Sequence, residues 1–260
     1  MNLVVCMKAV PSTNTVRLDP VTHTIIRDGR QAVVNPFDAS ALEEAVRIKE
    51  QLGGTVTALS MGIPDTERLL RDALGRGADE GVLLSDRAFA GADTLATSYA
   101  LACEIRQMPP VSLILCGKMA VDGDTAQIGP ELAGALGIPC ITDVYQILDI
   151  SETHVRVRRG VDGGQMVVET SLPALITVVK DICDPRMPSI SGVRFGENGP
   201  VAVKTAAQVQ ADLSRVGLNG SPTQVVKTFT PERTTESIPV LGTPKEQAGK
   251  LMTLIKEMSV

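Results

Sequence analysis

The sequence predicts an α/β protein: an open parallel β-sheet covered by helices, with antiparallel hairpin additions and an extended C-terminal arm that ends in a helix. Three patterns support this fold class. Short apolar runs alternate with segments of helical periodicity, as in parallel strands joined by helices. Two other segments alternate apolar and polar residues around turn residues, as in hairpins. Towards the C-terminus, the alternation of apolar runs and helical segments ends in a stretch rich in Gly, Pro, Thr and Ser.

The parallel sheet is predicted from apolar runs of strand length, at residues 3–7, 56–60, 82–85, 111–116 and 174–179. Helical periodicity predicts helices between these strands. The first helix ends at residue 52 before two glycines, the second opens at residue 65, the third is capped by Asp93 and runs to about residue 108, and the fourth spans residues 125–136 before Gly137.

The two antiparallel additions are predicted at residues 14–34 and 143–170. In the first, Asp19-Pro20 and Asp28-Gly29 are turn signals, and in the second Asp162-Gly163-Gly164 turns the chain. Both segments are expected to extend the parallel sheet with antiparallel strands.

Two domains are predicted: a nucleotide-binding α/β domain at residues 1–194, and a C-terminal arm with a helix at residues 195–260. The last helix, at residues 245–258, carries Leu251, Leu254, Ile255 and Met258 on one face. No nearby segment of the sequence is predicted to cover this face. An arm that reaches a partner is therefore favoured over a helix that folds back on its own domain.

Composition excludes several classes of function. The chain of 260 residues is 43% hydrophobic, enough for a sizeable core, but only 2% aromatic, and its net charge is −5. Few stacking side chains and a negative charge argue against nucleic-acid binding. The longest apolar runs, such as residues 173–179, are too short to span a membrane.

The five cysteines are odd in number and widely spaced, which favours mostly buried thiols over disulfides or a zinc site. The N-terminal apolar stretch has no basic segment before it and no cleavage site after it, so it predicts a strand rather than a targeting sequence. A cytoplasmic protein without a metal site is expected.

The strongest candidate site follows the strand that ends at Cys116 and runs to residue 130. In an open parallel sheet, ligands bind beyond the carboxyl ends of the strands, and a helix N-terminus there attracts phosphate. Gly117 and Gly123 would let the backbone approach a ligand. Asp122 and Asp124 repel phosphate, so they are expected to cap the helix, brace the loop or bind ribose. A turn that only caps a helix explains the same spacing, and neither G-x-G-x-x-G nor a P-loop is present.

Two further loops have similar chemistry. Residues 91–98 offer the hydroxyls of Thr94, Thr97 and Ser98 to a phosphate, although a simple Asp93 cap accounts for them equally well. Asn35, in the Asn-Pro-Phe-Asp sequence of residues 35–38, has an amide that reads an adenine or ribose edge, or forms an ordinary turn. Together, three such loops on one sheet edge indicate a nucleotide-binding protein.

Hydrolytic chemistry has little support in the sequence. The two histidines, His23 and His154, fall in predicted hairpins, where surface positions are expected. No G-x-S-x-G or H-E-x-x-H motif is present. The arginines at residues 156, 158 and 159 are interpreted as the solvated face of a strand.

These motifs resemble the β subunit of electron-transfer flavoproteins over nearly the whole chain. The resemblance lies in residues 4–8, 35–37, 76–80, 185–186 and 221–223, and most specifically in residues 117–129. It implies a Rossmann-like domain that pairs with an α subunit, held by the C-terminal arm, with a pocket for AMP or, in the electron-bifurcating branch, a second FAD. The cofactor-binding residues it implies are Cys6, Asn35, Pro36, Phe37, Asp38, Met61, Asp93, Thr94, Thr97, Gly117, Lys118, Met119, Ala120, Val121, Asp122, Gly123, Asp124, Thr125, Ala126, Gln127 and Ile128.

Within that family, residues 122–127 and 91–98 look like the bifurcating branch. The resemblance implies that Gly123 makes room for a pyrophosphate and that Thr94 and Thr97 help bind FAD pyrophosphate or NADH. NADH would then deliver hydride to this FAD, with one electron passing to a high-potential acceptor and the other to a carrier such as ferredoxin. The alternatives are an AMP-holding subunit that shuttles single electrons, and an adenine-nucleotide-binding regulatory module of the universal-stress-protein kind.

The resemblance also implies a docking residue. The apolar anchor that binds dehydrogenases in the family corresponds to Ile190, whereas a nearby acidic docking position corresponds to Gly160. The missing acid puts docking to an acyl-CoA dehydrogenase in doubt and leaves a 2-hydroxyacid dehydrogenase open.

Overall fold

A computed structural model describes residues 1–12, 32–226 and 239–258 of the chain. The chain forms two compact units, Met1–Val225 and Val226–Val260. The described strands, in chain order, are β1 (Asn2–Cys6), β2 (Ala9–Pro11), β3 (Ala32–Val34), β4 (Thr55–Met61), β5 (Glu80–Leu84), β6 (Leu113–Gly117), β7 (Cys140–Ile150), β8 (His154–Val161), β9 (Gly164–Ser171), β10 (Ala174–Val178) and β11 (Val201–Lys204). The helices are α1 (Pro36–Leu52), α2 (Glu67–Gly75), α3 (Thr94–Ile105), α4 (Ile128–Leu136), α5 (Ile190–Asn198) and α6 (Pro244–Met258).

The first unit is built on a nine-stranded sheet in the order β11-β5-β4-β1-β6-β10-β7-β8-β9. Neighbouring strands from β11 to β7 pair in parallel, and β8 and β9 add antiparallel pairs at one end. The predicted α/β fold with a mainly parallel sheet and hairpin additions is therefore confirmed.

Two apolar layers cover the two faces of this sheet. Along β1, alternate side chains point to opposite faces, so Leu3 and Val5 pack in one layer while Val4 and Cys6 pack in the other. The first layer is covered by α1 and α2, and the second by α3 and α4. The helix that follows β1 therefore lies on one face of the sheet, and the helix that follows its neighbour β6 lies on the other face.

The two predicted hairpins have different outcomes. Residues 143–170 form β7, β8 and β9, and the turn at Asp162-Gly163 lies between β8 and β9, as predicted. For residues 14–34, only the closing end is described, where β2 pairs with β3. These two strands form a separate two-stranded sheet, so the expectation that they extend the parallel sheet is wrong. The turn signals Asp19-Pro20 and Asp28-Gly29 lie outside the described residues.

The helix after β6 begins at Ile128, three residues later than predicted. The reason is in the backbone: Asp124 and Ala126 have φ angles of 53° and 54°, which a right-handed helix does not accept. Gly137 ends this helix in the left-handed conformation, as predicted.

The first unit continues past the predicted domain boundary at residue 194. Helix α5 packs on α2, and β11 pairs with β5 at the edge of the sheet. The apolar layer that α3 and α4 cover also contains the buried side chains of Ala206, Val209 and Val216. The elements here are short and lie between Gly and Pro residues, so the sequence shows no hydrophobic periodicity that would predict this part of the core.

The second unit contains α6, whose side chains are not buried. Leu251, Leu254 and Met258 are exposed on it, so the apolar face expected from the sequence is present. In the described parts of the chain, no helix is both long and apolar enough to cross a membrane.

Candidate functional site

The three predicted loops lie at one edge of the sheet, because the connections that contain them leave the carboxyl ends of the parallel strands β1, β5 and β6. β1 leads towards α1 on one face, and β6 leads to α4 on the other. In an open α/β sheet the ligand crevice usually lies beyond the strand ends at such a reversal. Residues 35–38 and the β6–α4 loop (residues 118–127) border this crevice.

Asn35 connects these two segments. Its side-chain amide donates to the Met119 carbonyl at 2.8 Å, and its side-chain oxygen accepts from the Val121 amide at 3.3 Å. The residue is only 1% exposed. Both ends of its side chain are therefore occupied by the β6–α4 loop, and Asn35 shapes the crevice from behind.

Asp38 is a second internal brace. Its carboxylate accepts from the backbone amide of Lys8 at 2.8 Å and from that of Gly117 at 3.1 Å. Burial raises the pKa of Asp38 to about 7, against the lowering effect of the hydrogen bonds from Lys8, Asn35 and Gly117. Asp38 thus joins the start of α1 to the ends of both β1 and β6.

Two ion pairs hold the β6–α4 loop, one at its first residue and one near its middle. Lys8 Nζ lies 2.6 Å from Asp122 Oδ1, and Lys118 pairs with Asp143. Asp122 therefore braces the loop and has its charge neutralised, one of the roles expected for it. Asp124 makes no side-chain hydrogen bond within the described chain, and α4 has no side-chain cap.

Gly117, the last residue of β6, and Gly123, within the loop, have different reasons to be glycine. A Cβ on Gly117 would lie 2.3 Å from Asp38 Oδ1 and 2.6 Å from Phe37 Cβ, so Gly117 is required by the start of α1. A Cβ on Gly123 would meet only Lys8 Nζ, at 3.9 Å. Gly123 therefore borders open space next to a cation, whereas Gly117 allows close packing inside the protein.

The β5–α3 loop (residues 85–93) is closed by hydrogen bonds. Asp93 caps α3 by accepting from the Ala96 amide at 3.0 Å, and its other oxygen accepts from the Thr223 hydroxyl at 2.8 Å. The Asp93 amide donates to Ser221 Oγ at 2.8 Å. The bonds from Ala96 and Thr223 lower the pKa of Asp93 against the opposing effect of its burial. Residues 221–223 are thereby fixed to the start of α3.

The hydroxyls of α3 differ in position. Thr94 Oγ1 lies 3.2 Å from Gln127 Oε1 and 3.1 Å from Glu131 Oε1, so it reaches the start of α4. Ser98 Oγ lies 3.2 Å from Glu131 Oε2. Thr97 is half-buried and makes no side-chain hydrogen bond within the described residues. The site predicted from the sequence ended at residue 130 and did not include Glu131, although Glu131 lies within the helix predicted there.

Several implied pocket residues are packed inside the protein. Cys6 is paired in register with Cys116 across β1 and β6, and both are buried, as is Phe37. Pro36 is the exposed first residue of α1, and Met61 is the half-buried last residue of β4. The structure thus groups the implied residues into an inner set that supports the crevice and an outer set, residues 121–127, that is exposed.

Comparison with known proteins identifies the family. The electron transfer flavoprotein domain matches residues 22–212. The chain is 44% identical to electron transfer flavoprotein subunit beta of Thermoanaerobacterium thermosaccharolyticum over 100% of both chains. The chain belongs to the electron transfer flavoprotein β-subunit family.

Two other relatives agree with this assignment. Subunit beta of Clostridium acetobutylicum is 42% identical over 99% of this chain and 98% of its own. The caffeyl-CoA reductase-Etf complex subunit CarD of Acetobacterium woodii is 42% identical over 100% of both chains. Similarity over the full length favours this family over the regulatory module considered from the sequence.

The crevice of this flavoprotein subunit has the chemistry of a phosphate site. The backbone N–H groups of Thr125, Ala126 and Gln127 have no acceptor within the described chain, and they precede the uncapped start of α4. Free amides at a helix N-terminus bind anions. In addition, the Ser60 hydroxyl is buried near the carboxyl end of β4 without a partner in the described residues. The residues present therefore fit a nucleotide.

The implied docking residue of the subunit lies on a separate surface. Ile190 is the first residue of α5, 79% exposed, and Met187 nearby is 81% exposed. Ser189 caps α5 by accepting from the Gly192 amide at 3.0 Å. Gly160, on β8, borders open space. The structure therefore presents an apolar tip at Ile190.

Proposed function

We propose that this chain is the FAD-binding β subunit of a heterodimeric electron transfer flavoprotein of the electron-bifurcating kind, which takes electrons from NADH. The observation that carries the proposal is the set of free amides at residues 125–127, beyond the carboxyl ends of β1 and β6. They offer a phosphate three N–H donors and the positive end of a helix dipole. FAD supplies the redox chemistry when bound.

The protein's own contribution is binding and orientation. Lys8 neutralises Asp122 and leaves the space beside Gly123 open for a second phosphate group. This space supports FAD, which has a pyrophosphate, over AMP, which has a single phosphate. Asn35 and Asp38 hold the loop in place from inside.

No histidine among the described residues lies at this site. His154, the histidine within the described residues, lies on β8 and pairs with Asp149 at 2.9 Å. The described residues contain no cluster of three or more His, Cys, Asp or Glu side chains suited to a metal ion. These two observations support a subunit that positions a cofactor and acts as an oxidoreductase only within a complex.

Three partners follow from the proposal. The exposed apolar residues Leu251, Leu254 and Met258 of α6 support an arm that binds the α subunit. The exposed Ile190 supports docking of a flavin dehydrogenase, of acyl-CoA or 2-hydroxyacid type, and a ferredoxin is the low-potential acceptor. The five free thiols support a reducing compartment, the cytoplasm.

Cofactor content of the purified heterodimer tests the proposal. Denaturing release and chromatography are expected to give two FAD per heterodimer and no AMP, and NADH is expected to bleach the flavin absorbance. One FAD with one AMP would instead indicate the AMP-holding, single-electron type.

Truncation of residues 245–260 is expected to weaken assembly with the α subunit, measured by analytical size exclusion. An intact heterodimer after truncation would contradict the proposal that the arm binds the α subunit.

A further inference from the structure

A polar cluster connects the starts of α3 and α4 beside the proposed phosphate site. Thr94, the first residue of α3, contacts Gln127 and Glu131 at 3.2 Å and 3.1 Å. Ser98, one turn further along α3, contacts the other oxygen of Glu131 at 3.2 Å. Each hydroxyl has a single proton, and the acceptor closest to Ser98 Oγ is the Thr94 carbonyl oxygen at 2.7 Å. The Glu131 carboxylate therefore lies beside both hydroxyls, one helical turn from the free amide of Gln127, with most of its acceptor capacity unused.

Glu131 is half-buried, and it differs from the buried carboxylates of the described chain. Glu43 and Glu44 are paired with arginines, Glu104 is paired with Lys204, and Asp38 accepts from backbone amides. Within the described chain the Glu131 carboxylate has neither a cation nor an amide donor, and its side-chain partners are hydroxyls alone. A carboxylate has about four lone-pair positions, so about two remain for further donors.

This charge decides which part of a nucleotide binds next to it. Like charges a few ångströms apart repel strongly near a protein surface. A phosphate in contact with Thr94 would lie that close to Glu131, because the Thr94 hydroxyl is already in contact with the carboxylate. The phosphate therefore belongs at the amides of residues 125–127, and a neutral group that donates hydrogen bonds belongs at Glu131.

We propose that Glu131 binds the sugar hydroxyls of the nucleotide held by the β6–α4 loop, an inference that rests on the proposed nucleotide site. A sugar hydroxyl lies within a few bonds of the phosphate and donates to carboxylates, as ribose does to the acidic residue of dinucleotide-binding folds. Thr94 and Ser98 lie against the carboxylate on its α3 side. Two sugars have this chemistry: the ribose of an adenine nucleotide and the ribityl chain of a flavin.

Equilibrium binding to the nucleotide-stripped heterodimer tests this role. The probes are AMP against 2′-deoxy-AMP and 3′-deoxy-AMP for ribose, and FAD against FAD that lacks the ribityl 2′-hydroxyl. In the wild type, at least one hydroxyl is expected to strengthen binding roughly 10-fold or more, as a charged hydrogen bond does. In Glu131→Gln and Glu131→Ala, the preference for that hydroxyl is expected to fall to about 3-fold or less.

The matched control is Glu152→Gln, an exposed carboxylate in the turn between β7 and β8, which is expected to keep the wild-type preference. Loss of the preference in the AMP series assigns Glu131 to ribose, and loss in the FAD series assigns it to the ribityl chain. An unchanged preference in both series overturns the inference. Released AMP in place of a second FAD would refute the FAD proposal alone, because the AMP series still tests Glu131.

Discussion

The β5–α3 loop and the β6–α4 loop leave the same edge of the sheet, and both bring Gly, Asp and Thr to a helix start. In the β5–α3 loop, Asp93 caps its helix and binds Thr223, so its polar groups are used inside the protein. In the β6–α4 loop, Asp124 makes no side-chain hydrogen bond to the described residues, and the amides of residues 125–127 have no acceptor among them. The same residue types thus form a structural joint in one loop and leave their amides open to a ligand in the other.

The difference comes from what packs over each loop. Residues 221–223 cover the β5–α3 loop and accept or donate its hydrogen bonds. Nothing in the described chain covers residues 121–127, which are exposed along their whole length. Free polar groups on an exposed loop that is fixed at both ends indicate binding rather than folding.

The largest expected effect separates the two glycines of the β6–α4 loop. Gly117→Ala is expected to reduce the free energy of unfolding by about 3 kcal/mol, because its Cβ would overlap Asp38 and Phe37. Gly123→Ala, the matched control, is expected to change stability by less than about 0.5 kcal/mol. Urea denaturation measures both, and equal losses would refute the distinction.

The second prediction compares the two aspartates. Asp93→Ala is expected to cost about 2 kcal/mol, since it removes a helix cap and the contact with Thr223. Asp124→Ala is expected to cost less than about 0.5 kcal/mol, because its side chain makes no hydrogen bond in the described chain. A larger loss for Asp124→Ala would mean that the β6–α4 loop is a structural joint as well.

The third prediction concerns pH. The pKa of Asp38 is about 7 in the folded protein and about 3.8 when unfolded. Between these values the folded state holds a proton that the unfolded state has released, so the contribution of Asp38 to stability falls as pH rises from about 4 to about 7. The stability difference between wild type and Asp38→Asn is therefore expected to decline over this range and to level above it. Denaturation at several pH values checks this, and parallel curves would contradict it.

Much of the fold was predictable because it depends on local pattern. Apolar runs of strand length and helical periodicity marked the parallel strands and their helices. The start of α4 was predicted wrongly because the left-handed backbone of Asp124 and Ala126 leaves no trace in apolar spacing. β11 was missed because four residues are too few for a pattern.

The site was predictable as a location, less so in its details. The three loops do meet at one sheet edge, as parallel topology requires. The brace formed by Asp38 depends on partners 30 and 79 residues away, which no local pattern contains. Glu131 was missed for a related reason, since its partners lie on another helix.

Hydrogen exchange of the heterodimer, with its nucleotides bound and after stripping, tests the contrast between the loops most directly. Stripping is expected to accelerate exchange in peptides that cover residues 118–128, because their amides lose the phosphate as acceptor. Peptides that cover residues 86–97 are expected to exchange alike in both states, because their acceptors belong to the protein. Equal acceleration in both loops, or none in residues 118–128, would contradict the assignment of the β6–α4 loop as the nucleotide site.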